Sequence, residues 1–181
     1  LLIYFFSTIL IILLYSLTNI RFFDAFNLAF TTISSGGFIP TNNLSNIISS
    51  DLNILVISIS LLFSIFNFFI LFDIITKKFT FRDHQEDLHL FALIIFLTSL
   101  LYFFIVPNEG FFQILFAITS SLSTSGISTY SSDFDLSLFL LLLTVSGGSL
   151  ISTSSGFKYT RFYILLKISY QEIYRLAKPI N

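Results

Sequence analysis

The stretch that decides the fold is residues 31–41, TTISSGGFIPT, a run of hydroxyl side chains and glycines inside an otherwise apolar sequence. It follows a short apolar segment, residues 22–33 (FFDAFNLAFTTI). At about 1.5 Å of rise per residue, such a segment is too short to cross a bilayer as a helix. The pattern predicts a re-entrant segment, which enters the membrane and returns to the same side. Irregular backbone at that depth is stable only when it is buried in protein or lines a water-filled cavity.

The composition is that of an integral membrane protein. Of the 181 residues, 55% are hydrophobic and 10% are charged, and the mean hydropathy is +0.90. Soluble domains carry about 25% charged residues. A membrane helix takes roughly 20 apolar residues. Runs of this kind occur at residues 1–17, 52–75 and 88–106, and from 134 to 145 with a continuation beyond Gly156.

The absence of two residue types is also informative. The sequence has no cysteine, which excludes disulfides and thiolate metal sites. It has no methionine, not even at position 1, so we expect an excised segment of a longer protein or the product of a degraded gene. Residues 1–17 lack the basic start and the small-residue cleavage site of a signal peptide.

The basic residues predict the orientation in the membrane. All Lys and Arg residues except Arg21 fall in loop 77–87 or after residue 157. Because basic residues concentrate on the cytoplasmic side, we expect both regions to be cytoplasmic. The external side would then be acidic and would favour arriving cations. Its acidic residues are Asp24, Asp51, Glu109, Asp133 and Asp135, with ordinary solvated loop charges as the alternative interpretation.

The second half of the sequence follows the plan of the first at a shift of 89 residues, the distance from Gly37 to Gly126. A short apolar segment, residues 111–120 (FFQILFAITS), precedes the polar stretch 121–129 (SLSTSGIST). The sequence therefore predicts two helix–pore helix–filter–helix units, residues 1–76 and 88–181, joined by the cytoplasmic loop 77–87. Internal repeats of this kind are common in membrane transport proteins.

A Ser/Thr/Gly loop after each short helix has the chemistry of an ion path. Its carbonyl and hydroxyl oxygens can replace the hydration shell of a bare cation, and the C-terminal end of the helix dipole favours positive charge. Neither loop contains a carboxylate, which suits a monovalent cation better than Ca²⁺ or Mg²⁺. The alternative for each loop is a flexible extracellular turn.

The last apolar stretch is interrupted by residues 146–156, SGGSLISTSSG. Glycine costs about 1 kcal/mol in a helix interior, and Ser and Thr compete for the backbone hydrogen bonds. We therefore expect an intramembrane loop, on the cytoplasmic side of the predicted filter because basic residues follow it, that acts as a gate. The alternative is a cytoplasmic loop between a short span and an interfacial amphipathic helix.

Ionisable residues do not form an enzyme motif. Membrane enzymes keep such groups at membrane depth, whereas both histidines flank loop 77–87. We expect His84 to be solvated, Asp73 to pair with Lys77, and Asn67 to hydrogen-bond to another helix. The chain is thus expected not to be an enzyme. A different, tetrameric cation channel and a non-transporting membrane scaffold fragment are the other hypotheses.

Together, the two filter-like loops and the broken helix resemble the Trk/Ktr/HKT superfamily of potassium transporters. FTTISSGGF (residues 30–38) and SSLSTSGIST (120–129) are similar to the filter segments of the second and third repeats of that family. SGGSLISTSSGFKYTRFYILLK (146–167) resembles the intramembrane loop of the third repeat and the helix after it, and EIYRLAKP (172–179) resembles the segment leading to the fourth. The resemblance implies an all-α integral membrane protein with two tandem repeats of a pseudo-fourfold cation-channel-like fold.

The resemblance also implies which residues act. The ion-binding filter residues would be Ser34, Ser35, Gly36, Gly37, Ser123, Thr124, Ser125 and Gly126. The gating loop, residues 146–157, would act through Ser146, Gly147, Gly148, Ser149, Ser152, Thr153, Ser154, Ser155 and Gly156. Ile151, Ser154 and Ser155 stand where the family usually has glycine, which implies a stiffer loop. Two of the four family repeats are present.

The function that the resemblance implies is uptake of K⁺ by a multi-pass protein of the cell membrane, with no organic cofactor; Na⁺ is the alternative ion. It implies a homodimer and a cytoplasmic nucleotide-binding regulatory subunit (TrkA-like), and no nucleic acid. Lys158, Arg161, Lys167 and Arg175 are expected to contact that subunit or to anchor the chain to anionic lipid.

Overall fold

A computed structural model describes residues 2–41, 44–48, 50–76, 84–105, 109–128 and 136–177. In these ranges the regular structure is helical. The α-helices are α1 (Leu2–Leu17), α2 (Phe22–Ser34), α3 (Asp51–Ile65), α4 (Ile70–Ile75), α5 (Gln85–Leu100), α6 (Phe111–Leu122), α7 (Ser137–Ser146) and α8 (Tyr159–Ala177). A short 3₁₀ helix spans Leu44–Asn46, and α5 continues as a π-helix over Leu101–Ile105.

Helix α3 lies at the centre of the fold and contributes to two buried clusters. It begins at the N-cap Ser50, whose side chain accepts a hydrogen bond from the Asn53 N–H. Its residues Ile57 and Leu61 pack with α1 and α2 in the first cluster. Ile65, at its end, packs with α5, α6 and α7 in the second cluster. The predicted filter loops, which follow α2 and α6, are therefore both anchored on elements that pack against α3.

The surface of the described part is rich in exposed apolar side chains, including Phe5, Phe6, Phe96, Phe103 and Leu142. Such a surface is typical of a lipid-facing protein. Among the described residues, one helix, Gln85–Ile105, is long and apolar enough to cross a membrane, with 21 residues. The other predicted spans each overlap a shorter apolar helix of 10–17 residues. The prediction of several membrane crossings therefore stays a prediction.

The apolar run at residues 52–75, predicted to form a membrane helix, is not one continuous helix, because the chain breaks between α3 and α4. The break is stabilised by polar partners for backbone groups that a continuous helix would have paired internally. The Asn67 N–H donates to Asp87 Oδ1 at 2.8 Å, and the Phe68 N–H donates to the Ile151 carbonyl at 2.9 Å. The Asn67 side chain, which we expected to bond to another helix, accepts locally from the Phe69 N–H at 3.0 Å.

Several predicted features lie partly or wholly outside the described residues. These include the first seven residues of loop 77–87, the start of the last apolar stretch near Phe134, and the acidic residues Asp133 and Asp135, as well as Thr129 and residues 178–179 at the ends of two of the family-like segments. In the described ranges, α7 begins at Ser137.

A buried tyrosine joins three helices of the first cluster. Tyr15 of α1 is fully buried, and its hydroxyl contacts Ser60 Oγ of α3 and, at 3.5 Å, Thr32 Oγ1 of α2. Ser60 also donates to the Ile57 carbonyl at 2.7 Å, so it keeps a partner without Tyr15. The tyrosine hydroxyl therefore bonds one helix to another, and its removal leaves the Ser60 hydroxyl with a hydrogen-bond partner.

We expect Tyr15→Phe to lower the free energy of unfolding by about 1 kcal/mol, the scale of a polar bond between membrane helices. Denaturant titration in mixed micelles measures this change. Tyr4→Phe is the control, because Tyr4 lies on the same helix and is only half-buried. An equal loss in both variants would contradict the role given to the Tyr15 hydroxyl.

Candidate functional site

The first predicted filter loop begins where α2 ends in a left-handed residue. Ser35 has φ of +55°, and the Gly36 N–H donates back to the Thr31 carbonyl at 3.0 Å. Gly37 has φ of +73°. The Thr31 hydroxyl then accepts the Phe38 N–H at 2.9 Å. Thr31 thus holds the loop through two accepted hydrogen bonds, one at its carbonyl oxygen and one at its hydroxyl oxygen.

The second predicted filter loop has the same backbone turn after α6. Thr124 has φ of +61° and Gly126 has φ of +64°, the positions equivalent to Ser35 and Gly37. Ser120, equivalent to Thr31, braces this loop: its carbonyl accepts the Ser125 N–H at 3.2 Å, and its hydroxyl donates to the Ile127 carbonyl at 2.5 Å. The 89-residue shift therefore relates backbone torsions as well as sequence.

The two loops meet each other. A Cβ atom built at Gly37 would overlap the carbonyl oxygen of Ser125, so the backbone of the first loop lies against that oxygen. A Cβ built at Gly126 would have no atom within 4 Å. The contact between the loops therefore requires glycine at position 37 for space, whereas position 126 favours glycine through its positive φ alone.

The predicted gating loop 146–157, which follows α7, is hydrogen-bonded to the C-terminal end of α3. The Ser149 N–H donates to the Ile65 carbonyl at 2.8 Å, and the Ser154 N–H donates to the Ser64 carbonyl at 3.1 Å. The last carbonyls of a helix have no partner within that helix, so the loop satisfies them. Gly148 lies so close that a side chain there would overlap the Ile65 carbonyl oxygen.

The same loop is hydrogen-bonded to both filter-bearing segments. The Ser155 N–H and hydroxyl both donate to Thr124 Oγ1, at 3.1 Å and 2.9 Å. Thr153 Oγ1 donates to the Ile33 carbonyl near the end of α2 at 2.7 Å. The structure thus brings the predicted gating loop into direct contact with the second predicted filter loop.

Two predicted site residues lie at helix ends and not in the loops. Ser34 is the last residue of α2, and its hydroxyl donates to the Phe30 carbonyl at 2.7 Å. Ser146 is the last residue of α7, and its hydroxyl donates to the Leu143 carbonyl at 2.8 Å. Both hydroxyls are therefore used within their own helices.

Comparison with known proteins adds sequence and structural relatives, although no family model matches the sequence. The chain is 32% identical over 180 residues to an uncharacterized cation transporter of Methanocaldococcus jannaschii, an alignment that covers 98% of this chain. It is also 32% identical over 180 residues to the Trk system potassium uptake protein TrkG of Escherichia coli, with 93% of this chain covered. The crystal structure of the potassium transporter TrkH from Vibrio parahaemolyticus aligns with a TM-score of 0.79 at 25% identity over 96% of this chain.

The chain belongs to the Trk family. It spans 37% of the length of each of these curated relatives and 41% of the TrkH chain. The resemblance to this family, inferred above from the two loops and the broken helix, is confirmed.

Two residues of this Trk-family chain that support the loops were not in the predicted site. Thr31 and Ser120 hold the two loops through equivalent backbone positions, seven residues before Phe38 and Ile127. The signal was present in the sequence, since the 89-residue shift aligns Thr31 with Ser120. Their hydroxyl groups have opposite hydrogen-bonding roles, because the Thr31 hydroxyl accepts a hydrogen bond from the loop and the Ser120 hydroxyl donates one to it.

The prediction that His84 is solvated is wrong. Its side chain is buried, with Nε2 3.1 Å from Asp73 Oδ2 and Nδ1 3.5 Å from Asp87 Oδ2. The reason is that α4 and the start of α5 each bring a carboxylate to the ring. Lys77, the expected partner of Asp73, lies outside the described residues. Among the residues described, no group of His, Asp and Glu has the arrangement of a metal site.

We expect Gly37→Ala to destabilise the protein more than Gly126→Ala. Both place alanine in left-handed backbone, which costs about 1–2 kcal/mol. At position 37 the added methyl group also meets the Ser125 carbonyl oxygen, which raises the loss by roughly 1–3 kcal/mol. Unfolding free energies of the two variants test this order. Equal losses would show that the loops do not touch at Gly37.

Removing the Thr124 hydroxyl is expected to loosen the loop after α7. Thr124→Val keeps the shape of the side chain but removes the oxygen that accepts both bonds from Ser155. Amide exchange at Ser155 should accelerate by about tenfold, as expected for the loss of roughly 1.4 kcal/mol. Thr119→Val is the matched control, because the Thr119 hydroxyl bonds only to carbonyls of its own helix. Exchange at Ser155 should not change in the control.

Proposed function

We propose that this chain forms part of a K⁺ uptake path across the cell membrane. Oxygens of residues 34–37 and 123–126 would line the path, and the loop 146–157 would close it. The observation that supports this proposal best is the meeting of three segments. The two filter-like loops touch at Gly37 and Ser125, and the second loop is hydrogen-bonded through Thr124 to Ser155 of the third segment.

The ligands offered by the loops support a monovalent cation. The predicted filter residues supply neutral carbonyl and hydroxyl oxygens and no carboxylate. Such oxygens can replace the water around a weakly hydrated ion, whereas Ca²⁺ and Mg²⁺ usually bind through carboxylates. The hydroxyl oxygen of Ser35 is buried and has no hydrogen-bond partner, so it is available as a ligand.

The contacts of the loop 146–157 support its role as a gate. Its Ser155 bonds directly to the filter-like segment, and an open cleft of about 750 Å³ begins beside that bond. The cleft is lined in part by Thr124, Thr144, Ser155 and Arg161. An ion leaving the second filter loop toward this cleft would pass Ser155. Opening would therefore require the Ser155–Thr124 bonds to break.

The lengths of α2 and α6 support two helix–pore helix–helix units in a multi-pass membrane protein. These helices have 13 and 12 residues, which is about 20 Å and 18 Å along the axis. They are shorter than the roughly 30 Å core of a bilayer. A left-handed residue follows each helix, Ser35 directly after α2 and Thr124 two residues after the end of α6, which is compatible with a re-entrant turn.

We extend the proposal to a homodimer with a cytoplasmic nucleotide-binding regulatory subunit, or to anionic lipid at the same surface. Helix α8 is exposed along its length and carries Arg161, Lys167 and Arg175. Light scattering of the purified full-length protein would measure its oligomeric state. Binding of the regulatory subunit in detergent, compared with binding of vesicles with and without anionic lipid, separates the two partners.

The full-length protein is expected to restore growth at low K⁺ to a host that lacks its own K⁺ uptake. Gly37→Ser and Gly126→Ser should each reduce Rb⁺ or K⁺ uptake by roughly tenfold or more, because both side chains strain left-handed backbone next to the proposed path. Uptake of Na⁺ under the same conditions identifies the preferred ion.

Gly110→Ser is the control for these variants. Gly110 precedes α6 with an ordinary φ of −66°, and a Cβ there meets nothing closer than 3.7 Å. Uptake should therefore be unchanged in the control. Normal uptake in Gly37→Ser and Gly126→Ser, with equal amounts of protein in the membrane, would refute the proposed path.

A further inference from the structure

The side chain of Lys158 lies folded back onto the loop 146–157. Its Nζ atom donates to the Ser152 carbonyl at 3.1 Å, to Ser152 Oγ at 3.1 Å, and to the Ser154 carbonyl at a closer contact. An ammonium group has three N–H donors and no acceptor. The three oxygens therefore match its donors one for one.

The backbone at Lys158 is adapted to this contact. Lys158 has φ of +68°, a left-handed conformation that is unfavourable for a residue with a side chain. The turn is fixed on both sides, since the Phe157 N–H donates to the Val145 carbonyl and the Tyr159 N–H donates to the Gly148 carbonyl, each at 2.9 Å. The chain thus reverses at Lys158 between the loop and α8.

The oxygens that bind the ammonium belong to the network that closes the loop on itself. Ser152 Oγ lies 2.8 Å from Ser154 Oγ and donates to the Ser149 carbonyl at 2.7 Å. Ser154 Oγ accepts the Gly148 N–H at 3.0 Å. An ammonium bound to Ser152 and Ser154 therefore fixes the far side of the loop relative to its beginning.

The ligand set is that of a monovalent cation. It consists of two carbonyls and one hydroxyl with no carboxylate, the same chemistry as the proposed filter. Nearby charges act on the ammonium in opposite directions: Glu86 attracts it and Arg161 repels it. Glu86 also accepts the Leu150 N–H at 3.0 Å, so the same carboxylate holds the loop from α5.

We propose that Lys158 is a positioning residue whose ammonium group acts as a tethered cation, binding a three-oxygen cage in the loop 146–157 and holding that loop in its packed, closed conformation. This role rests on the proposed function of the loop as a gate. Ser155, which contacts the second filter loop, is adjacent to Ser154 in the cage. Loss of the ammonium should therefore loosen the Ser155–Thr124 attachment and favour the open path.

The test uses Lys158→Cys in the full-length protein, followed by chemical restoration of the side chain. The 181 residues contain no cysteine, so the substitution adds the one thiol in this part of the protein. Alkylation with 2-bromoethylamine rebuilds a lysine-like ammonium with its N–H donors. Alkylation with (2-bromoethyl)trimethylammonium restores the positive charge without any N–H. Rb⁺ uptake into liposomes and amide exchange of residues 147–155 are measured for each form.

We expect Lys158→Cys to raise both Rb⁺ uptake and amide exchange by about tenfold, the effect of losing charge-assisted hydrogen bonds. The aminoethyl group should reverse both changes, and the trimethylammonium group should not. Ser16→Cys, at an exposed position of α1 to which no binding role is assigned, is the control, and neither the substitution nor the reagents should change uptake or exchange. The unsubstituted protein is treated in parallel to account for thiols elsewhere.

Three results would overturn the proposal: unchanged exchange and uptake in Lys158→Cys, equal reversal by both reagents, or uptake that falls while exchange stays constant. The proposed K⁺ path fails separately, if the unsubstituted protein takes up no Rb⁺. In that case the exchange data still decide whether the Lys158 ammonium holds the loop.

Discussion

The carbonyl oxygens at the end of α3 determine how the remainder of the site is arranged. Because the helix stops at Ile65, its last carbonyls have no partners of their own. Two N–H groups of the loop 146–157 take these positions, at Ile65 and Ser64. In return, the Ile151 carbonyl of that loop accepts the Phe68 N–H in the break that follows α3. The backbone groups left unpaired at the break after α3 are thus hydrogen-bonded by those of the loop 146–157, and the reverse is also true. Neither irregular segment would be stable alone in an apolar environment.

The two filter-like loops have the same backbone conformation at equivalent positions but differ in the hydrogen bonds of their side chains. Ser35 and Thr124 occupy equivalent left-handed positions. The Ser35 hydroxyl is buried without a partner, whereas the Thr124 hydroxyl binds Ser155. The same turn therefore presents an available oxygen in the first loop and an attachment point in the second. A repeat that conserves torsions while changing one side chain can make a pseudo-symmetric path that is controlled from one side.

The sequence was sufficient for the features that depend on local chemistry. Gly37 and Gly126 could be aligned by the 89-residue shift, and the break at residues 146–156 follows from the low helix propensity of its glycines and serines. The break at Asn67 could not be predicted, because its flanking residues are apolar and its partners, Asp87 and Ile151, are distant in sequence. His84 was misinterpreted for the same reason: the carboxylates that surround it come from two helices whose packing is tertiary information.

The density of hydrogen bonds around the loop 146–157 has a consequence for how it can move. Its serines and threonines bond to α2, α3 and the second filter loop, and within the loop to one another. In an apolar environment each of these groups needs a partner, since an unpaired one is costly. Moving the whole loop therefore breaks several of these bonds together, whereas the loss of one partner is expected to loosen only the residues beside it. The loop is expected to exchange between two packed arrangements, and elements with two discrete arrangements are the kind that can switch a path open or closed.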